Sequence, residues 1–191
     1  LAPIAEYPEI QFSLKMRLGW ENASECMVLV ELLNTLRLSR IALHARTGKQ
    51  QYKGHPDLEA FQGFYELCQH PLYYNGDIES LSDIRQILTR FPLLKGVFIG
   101  RGLLSSPLLA KEFKGNETFL PEQRMSIYFA FHEELFSAYS QVLQGETQLL
   151  VKMKTLWEYF LPETDRKLLK RIKKSTRLQQ YTESVKAIFT S

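Results

Sequence analysis

Two short apolar runs, each ending in glycine beside a polar group, constrain the fold of this chain more than any other feature. They are Leu72-Tyr73-Tyr74-Asn75-Gly76-Asp77-Ile78 and Gly96-Val97-Phe98-Ile99-Gly100-Arg101-Gly102. Runs this short, rich in β-formers and closed by turn residues, read as buried strands that deliver a loop at their carboxyl ends. Between them Ser80 to Phe91 has helical spacing, and Ser80 followed by Asp83 resembles a capping box. Strand, helix and strand in succession imply a parallel sheet, and such sheets place ligands beyond the carboxyl ends of their strands. Glycine loops there expose N–H groups, so the first expected ligand is an anion such as phosphate.

Two more strands of the same kind precede this pair, Phe12 to Gly19 and Arg40 to Thr47. Between them Ala23 to Leu38 carries Met27, Val30, Leu33 and Leu36 at helical spacing, with Asn22 or Ser24 as the cap and Glu25 in the first turn. A polar loop from Thr47 to Pro56 leads to a helix from Asp57 to Gln69. After the last strand a helix is expected from Gly102 through Leu108 to Phe113. The alternation of strand and helix therefore ends near Lys114.

Lys15-Met16-Arg17-Leu18-Gly19-Trp20, His44-Ala45-Arg46-Thr47 with Gln51 and Tyr52, Asn75-Gly76-Asp77-Ile78 and Ile99-Gly100-Arg101-Gly102 occur in that order. Together they resemble the second half of the tRNA-dihydrouridine synthases, flavin enzymes that reduce particular uridines in tRNA. The second motif departs slightly, with Ala45 where the family more often has glycine. The resemblance implies an α/β fold: the second half of a (β/α)8 TIM barrel, four βα units in residues 1–114, followed by a small all-α helical bundle domain in residues 115–191. An eight-fold barrel takes about 250 residues, whereas this chain has 191 and begins with Leu1 rather than Met. The expectation is therefore a fragment. In the family the first four strands bring one wall of the flavin site and the cysteine that protonates the uracil. Neither Cys26 nor Cys68 can replace it, because each falls in a helix between strands, where a small apolar side chain is the ordinary role.

The resemblance also assigns roles. Lys15, at the end of an apolar strand where a buried cation needs a partner, matches the family's flavin-contacting lysine. His44 matches the flavin-contacting histidine, and Arg46 is expected to meet either flavin or tRNA. Asn75, Gly76 and Asp77 are expected against the ribityl chain and phosphate of FMN, and Gly100 and Arg101 on the phosphate itself. FMN is the implied cofactor, NADPH its reductant and tRNA the partner. A missing amino-terminal half, or a second copy, is expected to complete the barrel and cover its open edges.

Charge points the same way. The formal net charge is only +3, but Arg166, Lys167, Lys170, Arg171, Lys173, Lys174 and Arg177 fall in twelve residues without an acid. On a helix Leu168, Leu169 and Ile172 form one apolar stripe and leave the cations outside, a face suited to RNA phosphates. Lys152 and Lys154 add charge upstream, beside Trp157, Tyr159 and Phe160. Helices are expected from Pro121 to Leu143, Glu146 to Phe160, Asp165 to Lys174 and Leu178 to Phe189, after a stop at Gly115-Asn116. With 45% hydrophobic and 24% charged residues and no apolar run near the roughly 20 residues that span a bilayer, the composition fits a cytoplasmic protein without a membrane partner. No zinc spacing or hydrolase motif is present, so no metal is expected. The alternative to an enzyme is a non-catalytic tRNA-binding half-barrel.

Overall fold

The computed structural model describes residues 6–7 and 9–190. The chain divides into two compact units, Leu1–Gly100 and Arg101–Ser191, and residues 1–5, 8 and 191 lie outside the described residues. The first unit is α/β. Its elements are β1 (Phe12–Gly19), α1 (Glu25–Asn34), β2 (Leu38–Thr47), α2 (Leu58–Leu67), β3 (Leu72–Asn75), α3 (Leu81–Arg90) and β4 (Gly96–Phe98). The strands form one sheet in the order β1-β2-β3-β4, and every adjacent pair is parallel. Consecutive parallel strands joined by helices are what successive βα units produce.

The alternation of side chains across each strand separates two faces. Leu18, Ile41, Leu43, Ala45, Leu72 and Tyr74 are buried on one of them. There Tyr74 meets Phe61 of α2 edge to face, with ring centroids 5.0 Å apart. The register pairs Lys15 with Ala42, Arg17 with His44, Ala42 with Tyr73, His44 with Asn75, and Asn75 with Phe98, so the opposite face is largely polar. Tyr73 lies there against Phe98, their centroids 5.4 Å apart.

Several boundaries differ from the sequence expectation, each for a local reason. The helix expected from Ala23 to Leu38 stops at Asn34, because Leu38 already starts β2. Ser24 stands at its amino-terminal cap without a side-chain bond. Instead the Glu25 carboxylate accepts the N–H groups of Trp20, Glu21 and Asn22 at 2.8, 2.9 and 2.7 Å. Ser80 and Asp83 do form the expected capping box at the start of α3.

The second unit is helical: α4 (Arg101–Ser105), α5 (Leu109–Gly115), α6 (Pro121–Val142), α7 (Glu146–Leu156), α8 (Arg166–Lys174) and α9 (Leu178–Phe189). The single helix expected over 102–113 is thus two pieces. Pro107 lacks the N–H that a helix interior requires and biases Ser106 away from helical backbone. Asn116 ends α5 in the left-handed conformation at φ 47°. Tyr128, Met153, Trp157, Phe160, Ile172, Tyr181 and Val185 are buried in one shared core. Among the described residues no helix is long and apolar enough to cross a membrane.

Candidate functional site

The polar face of the sheet collects the residues the sequence singled out. Lys15 is exposed in β1, two residues before Arg17, and His44 is buried opposite Arg17 in β2. Burial pushes the His44 pKa down to about 4; the cations Arg17, Lys15 and Arg46 push the same way, and Asp77 opposes them. The imidazole is therefore neutral near pH 7, able to hydrogen-bond without adding charge. Arg17, which sequence reasoning left without a role, donates through Nη1 to the carbonyls of Thr47 and Gln51 at 2.7 and 3.2 Å. Its guanidinium lies 5.9 Å from the centre of the Tyr52 ring. The two-residue spacing from Lys15 was the available signal for placing Arg17 on this face.

The structure places Arg46 in the interior, wholly buried. Nη1 donates to the Lys53 carbonyl at 2.8 Å, and Nη2 donates to the Gly54 carbonyl at 2.8 Å and to the Asp77 carboxylate. The side chain thus fastens the loop after β2 to the loop after β3. Its Nε is a buried polar atom without a hydrogen bond. Gln50 reinforces the first loop by donating to the carbonyls of Lys53 and His55, both at 2.8 Å. The Asp57 N–H closes its far end on the Ala45 carbonyl at 2.7 Å.

At the end of β3 the Asn75 amide donates to the Phe98 carbonyl at 2.8 Å, tying this strand end to β4. Gly76 follows at φ 152°, and a Cβ there would come 2.7 Å from the Tyr74 hydroxyl, so a side chain is excluded on two counts. Asp77 adopts φ 35° with its side chain 29% exposed. Gly100 is exposed at the end of the first unit, and a Cβ on it would meet nothing within 4 Å. Arg101 is half-buried at the start of α4. That helix has five residues, too few to supply the long aligned dipole expected of a helix running to Phe113.

Both cysteines lie away from the carboxyl ends of the strands. Cys26 is buried in α1 with Sγ 3.2 Å from the Ala23 carbonyl, and Cys68 caps α2. Burial pushes both thiols up, which keeps them protonated and poorly reactive. Among the described residues no group of three or more His, Cys, Asp and Glu side chains is placed to hold a metal.

In the second unit Arg166, Lys167, Lys170, Arg171, Lys173, Lys174 and Arg177 are all exposed, while Ile172 is buried and Leu168 and Leu169 half-buried. Asp165 starts α8 by accepting the N–H groups of Lys167 and Leu168 at 2.8 and 3.1 Å. A groove between α8 and α9 is lined by Lys167, Lys170, Arg171 and Lys174 of the first helix and by Gln180 and Glu183 of the second. Lys152 is exposed on α7, with Nζ 5.4 Å from the centre of the Tyr139 ring. Lys154 instead donates at 3.0 Å to the Ser175 carbonyl just past the end of α8.

A probable tRNA-dihydrouridine synthase of Rhizobium leguminosarum bv. phaseoli is 35% identical over 100 residues, covering 52% of this chain and 31% of the relative. One from Aquifex aeolicus is 36% identical over 105 residues, 55% of this chain and 33% of the relative. The tRNA-dihydrouridine(16) synthase of Escherichia coli is 28% identical over 110 residues, 57% of this chain and 35% of that protein. The chain thus spans about a third of the length of these curated relatives. The family model described as dihydrouridine synthase matches residues 5–190. With nearly its whole length inside that match, the chain belongs to the dihydrouridine synthase family.

Proposed function

We propose that the chain supplies the FMN-phosphate side of a tRNA-dihydrouridine synthase together with its RNA-gripping helices. The function is then flavin-dependent reduction of specific uridines in tRNA to 5,6-dihydrouridine, with NADPH as reductant, in the cytoplasm. The observation that carries this reading is the polar sheet face on which the register aligns Lys15, Arg17, His44 and Asn75. The donor set fits FMN: cations for an anionic ring edge and phosphate, a neutral imidazole, an amide, and glycines at the approaches. The buried Nε of Arg46 is a further donor held beside the same loops.

Bound FMN supplies the electrons that reduce the C5–C6 double bond of uracil. Lys15 holds positive charge where the reduced ring carries negative charge, and a fixed charge needs no reorganisation during reaction. His44 stays neutral, so it orients the ring by hydrogen bonding and does not offset that charge. Gly76 lets the backbone approach the ribityl chain, with Asn75 and Asp77 on either side. Gly100 and Arg101 meet the phosphate, through N–H and guanidinium respectively. Arg46 acts here by holding two loops together, and the exposed cations of α8 with Lys152 take the RNA backbone. An amino-terminal half or a second copy completes the barrel.

The positions of Cys26 and Cys68 favour a second reading, a tRNA-binding half-barrel that does not itself protonate uracil. Titrating the 191-residue chain with FMN, followed by flavin fluorescence, separates the two. Saturable binding, weakened at least about tenfold in Lys15→Ala and Arg101→Ala, is expected of the flavin site. A folded chain that ignores FMN yet binds tRNA overturns the first reading in favour of the second.

A further inference from the structure

Trp20 is 65% exposed, although an indole is among the most favourable side chains to bury. It stands one residue past the carboxyl end of β1, three residues after Arg17. Its backbone is fixed on both sides: the N–H donates to Glu25 at 2.8 Å, and the carbonyl accepts from the Lys49 N–H at 2.9 Å. The Gly48 N–H binds the Gly19 carbonyl at 2.8 Å, and the Lys49 ammonium pairs with Glu21, so two loops hold each other. The six-membered ring of the indole rests against Gly48, where a Cβ would come 2.3 Å from Cε3 and 2.9 Å from Cζ3. The ring is supported and held while most of its surface stays open.

A rigid, open aromatic beside cations is the arrangement that binds unpaired nucleobases. Stacking uses the π-face of the base, and nearby Lys and Arg take the phosphates. Here the cations are Lys49, exposed beside Gly48 and paired with Glu21, and Arg17, half-buried three residues before the indole. We propose that Trp20 is a stacking platform for an unpaired base of the RNA substrate, next to the uridine that the polar sheet face receives. This rests on the tRNA reading above and adds a contact to it. Gly48 is part of the platform, since any side chain there displaces the indole.

The two tryptophans of the chain make the test direct, because Trp157 is 1% exposed in the helical unit and serves as an internal reference. The full chain is titrated with an unmodified tRNA transcript, reading tryptophan emission and, on a labelled transcript, anisotropy. Wild type is expected to show saturable quenching of the red-shifted emission that tracks anisotropy. Trp20→Ala is expected to lose the quenching and bind about tenfold more weakly, while Trp20→Phe keeps most of the affinity and a wild-type urea midpoint. Unchanged affinity in folded Trp20→Ala, or anisotropy without quenching in wild type, overturns the stacking role and leaves the tRNA reading intact. No anisotropy change with wild type overturns both.

Discussion

The two units treat buried polar side chains in opposite ways. In the helical unit the polar groups saturate one another. Trp157 Nε1 donates to the Tyr181 hydroxyl at 3.0 Å, that hydroxyl lies 2.6 Å from His132 Nε2, and His132 Nδ1 lies 3.0 Å from the Glu133 carboxylate. One tautomer satisfies the whole chain: the indole gives to Tyr181, Tyr181 gives to Nε2, and Nδ1–H gives to Glu133. Burial pushes the His132 pKa down, which agrees with a neutral ring. In the sheet unit Arg46 keeps a buried Nε without a bond and His44 is held neutral among cations. A closed network specifies packing, whereas the sheet unit leaves one buried donor unspent beside its strand ends.

The largest break in this contrast is expected at Arg46. Arg46→Leu removes the donor to the Gly54 carbonyl, leaves the Lys53 carbonyl to Gln50 alone and takes the buried guanidinium from the Asp77 carboxylate. A loss of about 3 kcal/mol follows from removing one partner of a buried pair, read as the urea midpoint. Arg46→Lys recovers only part of it, because an ammonium cannot reproduce the planar fork. A midpoint within error of wild type would mean that the two loops hold without the clamp.

Next comes Tyr181→Phe, which strands the Trp157 N–H and His132 Nε2 in the core. About 2 kcal/mol is expected for the unsatisfied groups, with no effect on FMN affinity. A changed FMN affinity would erase the functional distinction between the two kinds of network.

The smallest effect concerns pH. Because the folded pKa of His44 is about 4, below its ordinary value of 6.5, the unfolded chain takes up its proton first as pH falls. The stability from a neutral His44 is present above about pH 6.5 and is lost as pH falls toward about 4. His44→Gln should flatten the stability against pH, read from the urea midpoint, by about 1 kcal/mol between about pH 6 and about pH 5. His132, shifted in the same direction, leaves a residual slope. An unaltered slope in the variant would mean that the His44 pKa does not change on folding.

The strand order and the face carrying Lys15, His44 and Asn75 were legible because both depend on short-range patterns, a period of two within strands and glycine after them. The Arg46 clamp was not legible, since its partners lie seven, eight and thirty-one residues away in loops whose paths no local pattern dictates. Glu25 stands in the first helical turn as the sequence indicates, and only the use of its carboxylate, which accepts the N–H groups before the helix, was hidden there. The break between α4 and α5 was signalled by Pro107, and the apolar run around it masked that signal. For α8 the reverse held: six cations around one apolar stripe allow a single orientation, and Ile172 is buried accordingly.

The pairing of β1 with β2, residue for residue from Ser13 with Arg40 to Arg17 with His44, has a consequence for how such chains can change. Chemistry and packing occupy alternate positions of the same strands, Lys15 and Arg17 beside Leu14 and Met16, His44 beside Leu43 and Ala45. A single-residue insertion or deletion within either strand would exchange the two sets, turning cations toward the helices and leucines toward the ligand. Substitutions can therefore be sampled one at a time here, while length changes are confined to the loops, and the spacing of these motifs is as much a part of the site as the residues themselves.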